Sequence, residues 1–482
     1  MPIRTPEEYV ASLRDGRRVY YRGELVPDVT THPVIARAID HASIDFQMAE
    51  DPKFRDLAVV EGAHGPRSRY FETPRDGKDL LARSRLIEAS TRLGGTLVVL
   101  VKEIGTDALF ALGNVAHDLD ARAGTAYADR VRAFHEHCAT NDLAIAVAQT
   151  DVKGDRSLGP SELAAHGNPD AYVRIVDRRP DGIVVRGAKT HTSCTTNVNE
   201  LIVLPTRAMA AADADYAVSF AIPVDTPGMV LVASPHGGAE RDRFDHPISS
   251  RHKMMETLTI FDDVFVPNER VFMAGEWQAA GPLALAFVEF HRFTAISYKL
   301  PLVDALVGAA LLLADLNGIE RAGHVRDKLS WLIGYAETLR ALVQAGASRF
   351  RRHANGTAIP DPLTVNIAKM HFATNYHGAV ARVQDIAGGS LATAPSGADL
   401  DNPAIGDWVR LAMSGKVGTD AVDRLRALNL AADLTASDFG GYQEVLAIHA
   451  EGSIEAQKLT ILRQYDANQA RAYARTLAGL DT

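Results

Sequence analysis

Two stretches decide how the chain reads: Ala144-Ile-Ala-Val-Ala-Gln149-Thr150-Asp151-Val-Lys153-Gly154-Asp155-Arg156-Ser157 and Arg186-Gly187-Ala188-Lys189-Thr190-His191-Thr192-Ser193, the second followed by the apolar run Leu201 to Leu204. The first is an apolar strand that ends in amide, hydroxyl and carboxylate groups. The second is a strand closed by Gly and then by three hydroxyl side chains. Groups of this kind at the mouth of a β-layer can bond the edge of a flat heteroaromatic ring that carries both donors and acceptors. The same residues also fit two ordinary strands with hydroxyl-rich turns, the commoner case, since Ser, Thr, Asn and Asp collect in loops.

Working outward, 482 residues exceed one simple core and point to two to four folding units. With 46% hydrophobic and 23% charged residues the composition is that of an ordinary soluble protein. A net charge of -9 and the lack of any Lys/Arg-rich run argue against nucleic acid as a partner. No early segment joins a basic start to an apolar core, so a cytoplasmic protein without a secretory signal is expected. The most apolar long run, Leu302 to Leu316, is interrupted by Asp304 and Asp315 and fits a buried helix rather than a membrane span. Only Cys138 and Cys194 occur, too few for a disulfide scaffold or for a cluster that needs three or four thiolates.

In chain order, three regions differ in pattern. Residues 1–139 read as mainly helical, with Thr5 as an N-cap ahead of Pro6, a helical period from Pro33 to Ala49, and a polar helix from Lys78 to Arg92. Leu97 to Val101 is apolar throughout, so its period decides nothing. A helix is expected to start near Gly105, capped by Thr106 or Asp107. Residues 140–275 read as a β domain of short strands, with a hairpin turning at Asp181-Gly182 and further strands at Tyr216–Pro223, Met229–Ala233 and Leu258–Val266. Residues 276–482 read as a helix bundle, with runs over Leu283–Leu316, Ile319–Phe350, Val365–Ile386, Thr419–Leu434 and Tyr442–Leu480, and with a kink or break expected near Leu300 ahead of Pro301.

This α+β order of helical domain, central β-barrel or sandwich, and C-terminal bundle resembles the acyl-CoA dehydrogenase-like flavoproteins. Within them the chain is similar to the family that groups 4-hydroxyphenylacetate 3-monooxygenase oxygenase components with 4-hydroxybutyryl-CoA dehydratase. The carriers are Gln149 to Arg156, Gly187-Ala-Lys-Thr-His191, Phe261-Asp-Asp-Val-Phe-Val-Pro-Asn-Glu-Arg270, and Val383-Gln-Asp-Ile-Ala-Gly-Gly-Ser390 with Pro395-Ser396. The resemblance implies FAD, used as FADH2, and a homotetramer. It makes Gln149, Thr150, Thr190, Thr192 and Ser193 contacts of the isoalloxazine side of the cofactor. Gln384, Gly388 and Gly389 would meet its ribityl or pyrophosphate, and Arg156 would neutralise a phosphate or hold a carboxylate.

The details lean to the dehydratase branch, which holds an iron–sulfur cluster on three cysteines and a histidine. The matching positions here are Val99, Glu103 and Tyr298, with only His291 kept. Val, Glu and Tyr offer no soft thiolate, so no cluster and no metal are expected. The phenol-binding Arg, Tyr and His of the monooxygenase branch fall at Ile104, Ala108 and Val147, so that site does not carry over either.

The family geometry brings Val99, Glu103, His291 and Tyr298 together. Glu103, His291 and Tyr298 are therefore candidates for a catalytic pocket where the cluster sat, against a plain buried network filling the space. Val99 and Glu103 share a face if that run is helical, and Lys299 either pairs with a carboxylate or faces solvent. Glu256 matches a family glutamate near the reacting centre, against a surface glutamate at a strand start. Glu451 and Glu455, one turn apart on the last helix, read first as solvated acids, against the alternative that one of them matches a second family glutamate at the active site. His135 and Cys138 share a helical face but have no second ligand pair, so zinc is not expected.

The function these readings favour is the oxygenase component of a two-component flavin monooxygenase. A partner flavin reductase supplies reduced FAD, and the substrate is a small organic compound, for instance an aromatic one. No Gly-x-Gly-x-x-Gly follows a strand, which fits flavin reduced elsewhere. The alternatives are a redox-neutral flavin-dependent isomerase or lyase on an acyl-CoA-like substrate, and a flavin-binding subunit without chemistry of its own.

Overall fold

Two β-sheets lie face to face at the centre of the molecule, in a computed structural model that describes residues 3–62 and 65–480. The larger has six strands in the order Glu24–Val26, Val19–Tyr21, Met229–Ala233, Glu256–Pro267, Gly182–Ser193 and Arg174–Arg179. The smaller has four, in the order Val271–Ala274, Val218–Pro223, Glu200–Val203 and Ile145–Ala148. Phe220 of the small sheet meets Phe261 of the large one edge to face, with ring centroids 5.9 Å apart, and both rings are buried. That contact marks the core between the layers.

The expected hairpin forms, with its turn at Pro180-Asp181 rather than one residue later. The N-terminal region is less purely helical than its pattern suggested. Val19–Tyr21 adds to the large sheet by parallel pairing with the strand Met229–Ala233, in the register Val19 with Leu231. These strands are three residues long, too short for a period of two to declare itself. The helical stretch from Pro33 is two helices, Pro33–Ala42 and Ile44–Glu50, meeting at Ser43.

Thr5 caps the first helix through a reciprocal bond with Glu8, as the sequence suggested. The helix expected to begin at Thr106 or Asp107 instead begins at Glu103, with Lys102 as its N-cap residue. Both expected caps therefore lie inside the first two turns, buried, and Asp107 is committed to an ion pair. Leu97 to Val101 is irregular backbone with every side chain buried, so Val99 and Glu103 share no helical face.

One helix, Trp277–Leu316, runs unbroken through the C-terminal bundle. Proline inside a helix costs about 3 kcal/mol, and both Pro282 and Pro301 lie within it. The break expected near Leu300 does not occur. The helix packs against Gly77–Leu93, Glu103–Ala123, Gly323–Ser348 and Pro362–Ala387, and contacts on so many sides carry it past the missing hydrogen bonds. It is long and apolar enough to cross a membrane by composition, and its role here is that of a core helix.

The expected run from Tyr442 to Leu480 is three helices: Asp438–His449, Ile454–Gln464 and Ala467–Leu477. The first break falls at Glu451 and Gly452, both with left-handed backbone at φ 56° and 92°. Ser453 then accepts the Ala456 N–H to start the next helix, and Asp466 accepts the Asn468 N–H to start the last.

Candidate active site

The strand Gly182–Ser193 ends in an irregularity that shapes the site. Thr257 pairs with Thr192 and Thr259 with Lys189, so Thr190 and His191 together oppose the single residue Leu258. This is a β-bulge, and His191 at φ 54° and Cys194 at φ 63° flank the hydroxyls of Thr192 and Ser193. Bulges re-aim side chains beside functional sites, and non-glycine residues in this region store strain. The loop Gln149 to Asp151 is pinned to the bulge from below. Buried Lys189 donates to the Gln149 carbonyl at 2.9 Å, to the Leu204 carbonyl at 2.9 Å and to Asp151 at 2.5 Å. The Thr190 N–H donates to the Thr150 carbonyl at 2.9 Å. Gln149, Thr150, Thr190 and Thr192 are thereby brought to one edge.

The structure fits a flavin in three respects. The Thr192 hydroxyl is buried and has no hydrogen-bond partner among the described residues, a state that costs about 1–3 kcal/mol unless a ligand supplies the partner. Gly388, at φ 71°, and Gly389 face open space, so their backbone is free to approach a bound group. Lys153, Arg156 and His449 stand near enough to His191 to depress its protonation, behind the larger effect of burial. Arg156 is exposed and has no ion-pair partner among the described residues. Gln384 points elsewhere, donating to the Thr435 carbonyl at 2.7 Å. It fixes the helix end that carries the two glycines.

Glu256 is no surface glutamate. Its carboxylate accepts the Ser193 hydroxyl at 3.0 Å and the Tyr442 hydroxyl at 2.7 Å. Burial pushes its carboxyl up from the usual range, against the two donors and Lys253, which pull it down. Ser193, expected at the flavin, is thus the residue that ties Glu256 to the flavin loop. Tyr442 had no signal in the sequence, because its partner is remote along the chain.

The helical wall holds three neighbouring networks, and among the described residues no direct bond joins Glu103, His291 and Tyr298. Glu103 and Asp45 both reach the buried Tyr70 hydroxyl, at 3.2 and 3.3 Å. Burial raises both carboxyls, and at Asp45 the neighbouring Glu103 adds to it. The Lys102 N–H donates to the other Glu103 oxygen at 3.2 Å, and the Lys102 ammonium acts against the rise at Asp45. His291 lies 3.2 Å from Asp107, which also takes the Thr294 hydroxyl at 3.0 Å and Arg83 at 2.8 Å. Arg83 donates to the Glu103 carbonyl at 2.8 Å as well, and so bridges the first two networks.

Tyr298 turns to a different partner and donates to Glu451. Lys299 does not face solvent. It lies buried with its ammonium 3.0 Å from both Glu451 oxygens, and Lys369 approaches at 3.4 Å. Arg292 donates to the Glu451 backbone carbonyl at 3.0 Å. Glu451 is therefore a buried carboxyl at a chain break, whereas Glu455 is exposed and paired with Lys458. Burial pushes Glu451 up and pushes Lys299 and Lys369 down, Lys369 to about 7.

Val99 is buried, and its carbonyl faces the Cys194 thiol at 4.0 Å, which places it against the flavin loop. Both cysteines are free and buried, and burial raises both thiols. His135 points to the Phe71 carbonyl at 2.8 Å.

The family model for the 4-hydroxyphenylacetate 3-hydroxylase N-terminal region matches residues 5–273, and that for the C-terminal region matches residues 280–479. The chain is 33% identical to 4-hydroxybutyryl-CoA dehydratase/vinylacetyl-CoA-Delta-isomerase of Clostridium aminobutyricum, covering 99% of this chain and 100% of that one. It is 30% identical to the 4-hydroxyphenylacetate 3-monooxygenase oxygenase component of Thermus thermophilus, covering 92% and 90%. Among solved structures, an oxygen-tolerant 4-hydroxybutyryl-CoA dehydratase from N. maritimus superposes with a TM-score of 0.92 at 30% identity, covering 100% and 96%. A 4-hydroxyphenylacetate 3-monooxygenase oxygenase component complexed with FAD superposes with a TM-score of 0.90 at 28% identity, covering 98% of each chain. The architecture is the acyl-CoA dehydrogenase-like fold. The chain belongs to the 4-hydroxyphenylacetate 3-hydroxylase family, whose named members include both phenol monooxygenase oxygenase components and 4-hydroxybutyryl-CoA dehydratases.

Proposed function

We propose that this chain is the FAD-dependent oxygenase component of a two-component monooxygenase that oxygenates a small organic substrate and receives reduced FAD from a separate flavin reductase. The observation that carries the reading is the bulged edge with its buried, unpartnered Thr192 hydroxyl. The open Gly388-Gly389 backbone also suits the cofactor, and the family resemblance sets Val99, Glu103 and Tyr298, none of them a thiolate, at the positions of the dehydratase's cluster cysteines. Relatives named as oxygenase components, one of them solved with FAD and 4-hydroxyphenylacetate, support it. Reduced FAD, when bound, supplies the electrons for oxygen activation.

The chain's own residues hold and close the site. Thr190, Thr192 and the Gln149 to Asp151 loop orient the ring edge. Glu256, which accepts the Tyr442 and Ser193 hydroxyls, is the base placed to take up a proton beside it, and the buried Leu97 to Val101 run excludes water. The test supplies chemically reduced FAD and oxygen to the purified protein with a panel of phenols. Substrate-dependent gain of one oxygen atom in the product supports the reading, and oxygen uptake that yields only peroxide across the panel counts against it.

A second reading, a redox-neutral isomerase on an acyl thioester, is favoured by two buried carboxyls held toward protonation, Glu256 and Glu451. Anaerobic migration of the double bond in a β,γ-unsaturated acyl-CoA, with no reductant, would select it. We also propose a cytoplasmic homotetramer. Trp408 and Leu411, and Leu459, Leu462, Tyr473 and Leu477 of the last two helices, are exposed apolar residues that subunit packing would cover. Light scattering on the purified protein tests that state.

A further inference from the structure

The C-terminal end of the helix Glu103–Ala123 meets the tip of a small hairpin formed by Arg351–Arg352 and Ala358–Ile359. Asn355 docks that tip, its side-chain amide donating to the Gly113 carbonyl at 3.2 Å and to the Asn114 side chain at 2.9 Å. One turn further along the helix, His117 and Asp118 stand beside His353 of the hairpin. Each of the three brings one ligand atom to within 4.8 Å of the other two. His117 Nδ1 and His353 Nε2 both lie 3.4 Å from the same atom, Asp118 Oδ1.

Those two distances decide what the cluster suits. They exceed the usual span of about 2.7–3.2 Å for a hydrogen bond. Two donors held at about 2.0–2.1 Å on a tetrahedral ion stand about 3.3–3.4 Å apart, which is the spacing found. Asp118 pairs with no Lys or Arg among the described residues, so its charge awaits a cation. Two imidazoles and a carboxylate suit Zn²⁺ and its first-row neighbours better than Mg²⁺ or Ca²⁺. The side chains of His117 and Asp118 are each 44% exposed, which leaves an entry path and space for water as a further ligand.

One existing bond opposes coordination. His353 Nδ1 accepts the Asn355 N–H at 3.3 Å, and binding an ion at Nε2 moves the ring proton to Nδ1. That long bond is given up, while the Asn355 side chain still holds the tip. The cluster lies about 21 Å along the helix from Glu103, at ~1.5 Å per residue, so an ion here fastens rather than reacts.

We propose that His117, Asp118 and His353 form a site for one divalent transition-metal ion of the Zn²⁺ type, completed by water, which clips the hairpin to the helix. The site stands independently of the flavin reading.

Calorimetric titration of the full chain, loaded with FAD and washed free of metal with a chelator, tests this with ZnCl₂. The variants are His117→Ala, His353→Ala and, as a control at an exposed histidine elsewhere, His166→Ala. One ion per chain is expected in the wild type and H166A, and at least about tenfold weaker binding in H117A and H353A, with circular dichroism and FAD content unchanged. Zn²⁺ is expected to raise the melting temperature of the wild type and not that of H353A. Bound Co²⁺ is expected to show the intense visible bands of a tetrahedral ion, lost in H353A. The proposal is overturned if the wild type takes up no ion, or if H353A holds Zn²⁺ as tightly as the wild type, which would mark adventitious binding elsewhere.

Discussion

The ammonium of Lys299 sits 3.0 Å from both carboxylate oxygens of Glu451, at the point where the chain turns left-handed between two helices. Glu451 is the shared partner of Lys299, Lys369 and Tyr298, all drawn from other helices. Removing it leaves two lysines buried without a carboxylate. Glu451→Ala is expected to cost about 3–5 kcal/mol, read as a lower urea midpoint. Glu451→Gln, which keeps an acceptor for Tyr298, is expected to lose less. Equal midpoints for wild type and E451A would show that the cluster is not a stability element.

Glu256 has a sharper signature in kinetics than in stability. As a general base it would contribute about 10²–10⁴-fold, so Glu256→Gln is expected to lower kcat by at least 10²-fold while FAD is retained. The Tyr442 hydroxyl stabilises the charged carboxylate. Tyr442→Phe therefore raises the Glu256 pKa further, and the acid limb of the pH–rate profile moves to higher pH. An acid limb that stays put or moves down would remove Glu256 from the proton-transfer role.

A second pair of buried groups makes the fold acid-sensitive. His41 and His252 face each other with Nδ1 atoms 3.2 Å apart, and His41 Nε2 lies 3.0 Å from the Val98 carbonyl. The carbonyl requires a proton on His41 Nε2, so His41 Nδ1 accepts and His252 Nδ1 donates. Burial lowers His41 to about 4 and His252 to about 3, with His41 adding to the latter. Above pH ~6.5, the unfolded value, neither ring costs stability. Below it the unfolded chain takes up protons first, and each ring destabilises the fold by up to ~1.4 kcal/mol per pH unit until its folded value is reached. His252→Gln is expected to flatten the fall in melting temperature between pH 6.5 and 4. An unchanged slope would exclude the pair as its source.

The positions of Val99, Glu103 and Tyr298 give a prediction about metal. Cys138 and Cys194 are both buried, on separate elements, and their thiols are raised by burial. Protein purified without oxygen is expected to carry no stoichiometric iron or acid-labile sulfide. Treatment with a chelator is expected to change FAD content and turnover by less than twofold. Iron and sulfide in equal stoichiometric amounts would contradict the assignment.

The β-layer was legible in the sequence because its longer strands announce themselves by alternation and by turn residues, as in the hairpin at Pro180-Asp181. The polar strand ends Gln149 to Asp151 and Thr190 to Ser193 were legible because each is a local motif, and the structure joins them through Lys189 and the Thr190 N–H. Glu451 was not, since the helical period on either side continues in sequence across the break. The clues were present in Gly452 and Ser453, a left-handed glycine followed by a cap. The ties from Glu256 to Tyr442 and from Asp107 to His291 and Arg83 could not be read, because each joins residues far apart along the chain and no local pattern marks a long-range polar bond. Pro301 misled for a related reason: propensity favoured a break, and packing on several sides of the helix overrode it.

The parallel pairing of Val19 with Leu231 bears on how the polypeptide acquires its shape. During synthesis the first strand of the large sheet emerges long before the strand it must join, and at three residues it is too short to persist alone. Closing so long a loop makes this a late, entropically expensive docking event. Until it happens, one border of the nascent sheet offers unpaired amides and carbonyls to any neighbouring polypeptide.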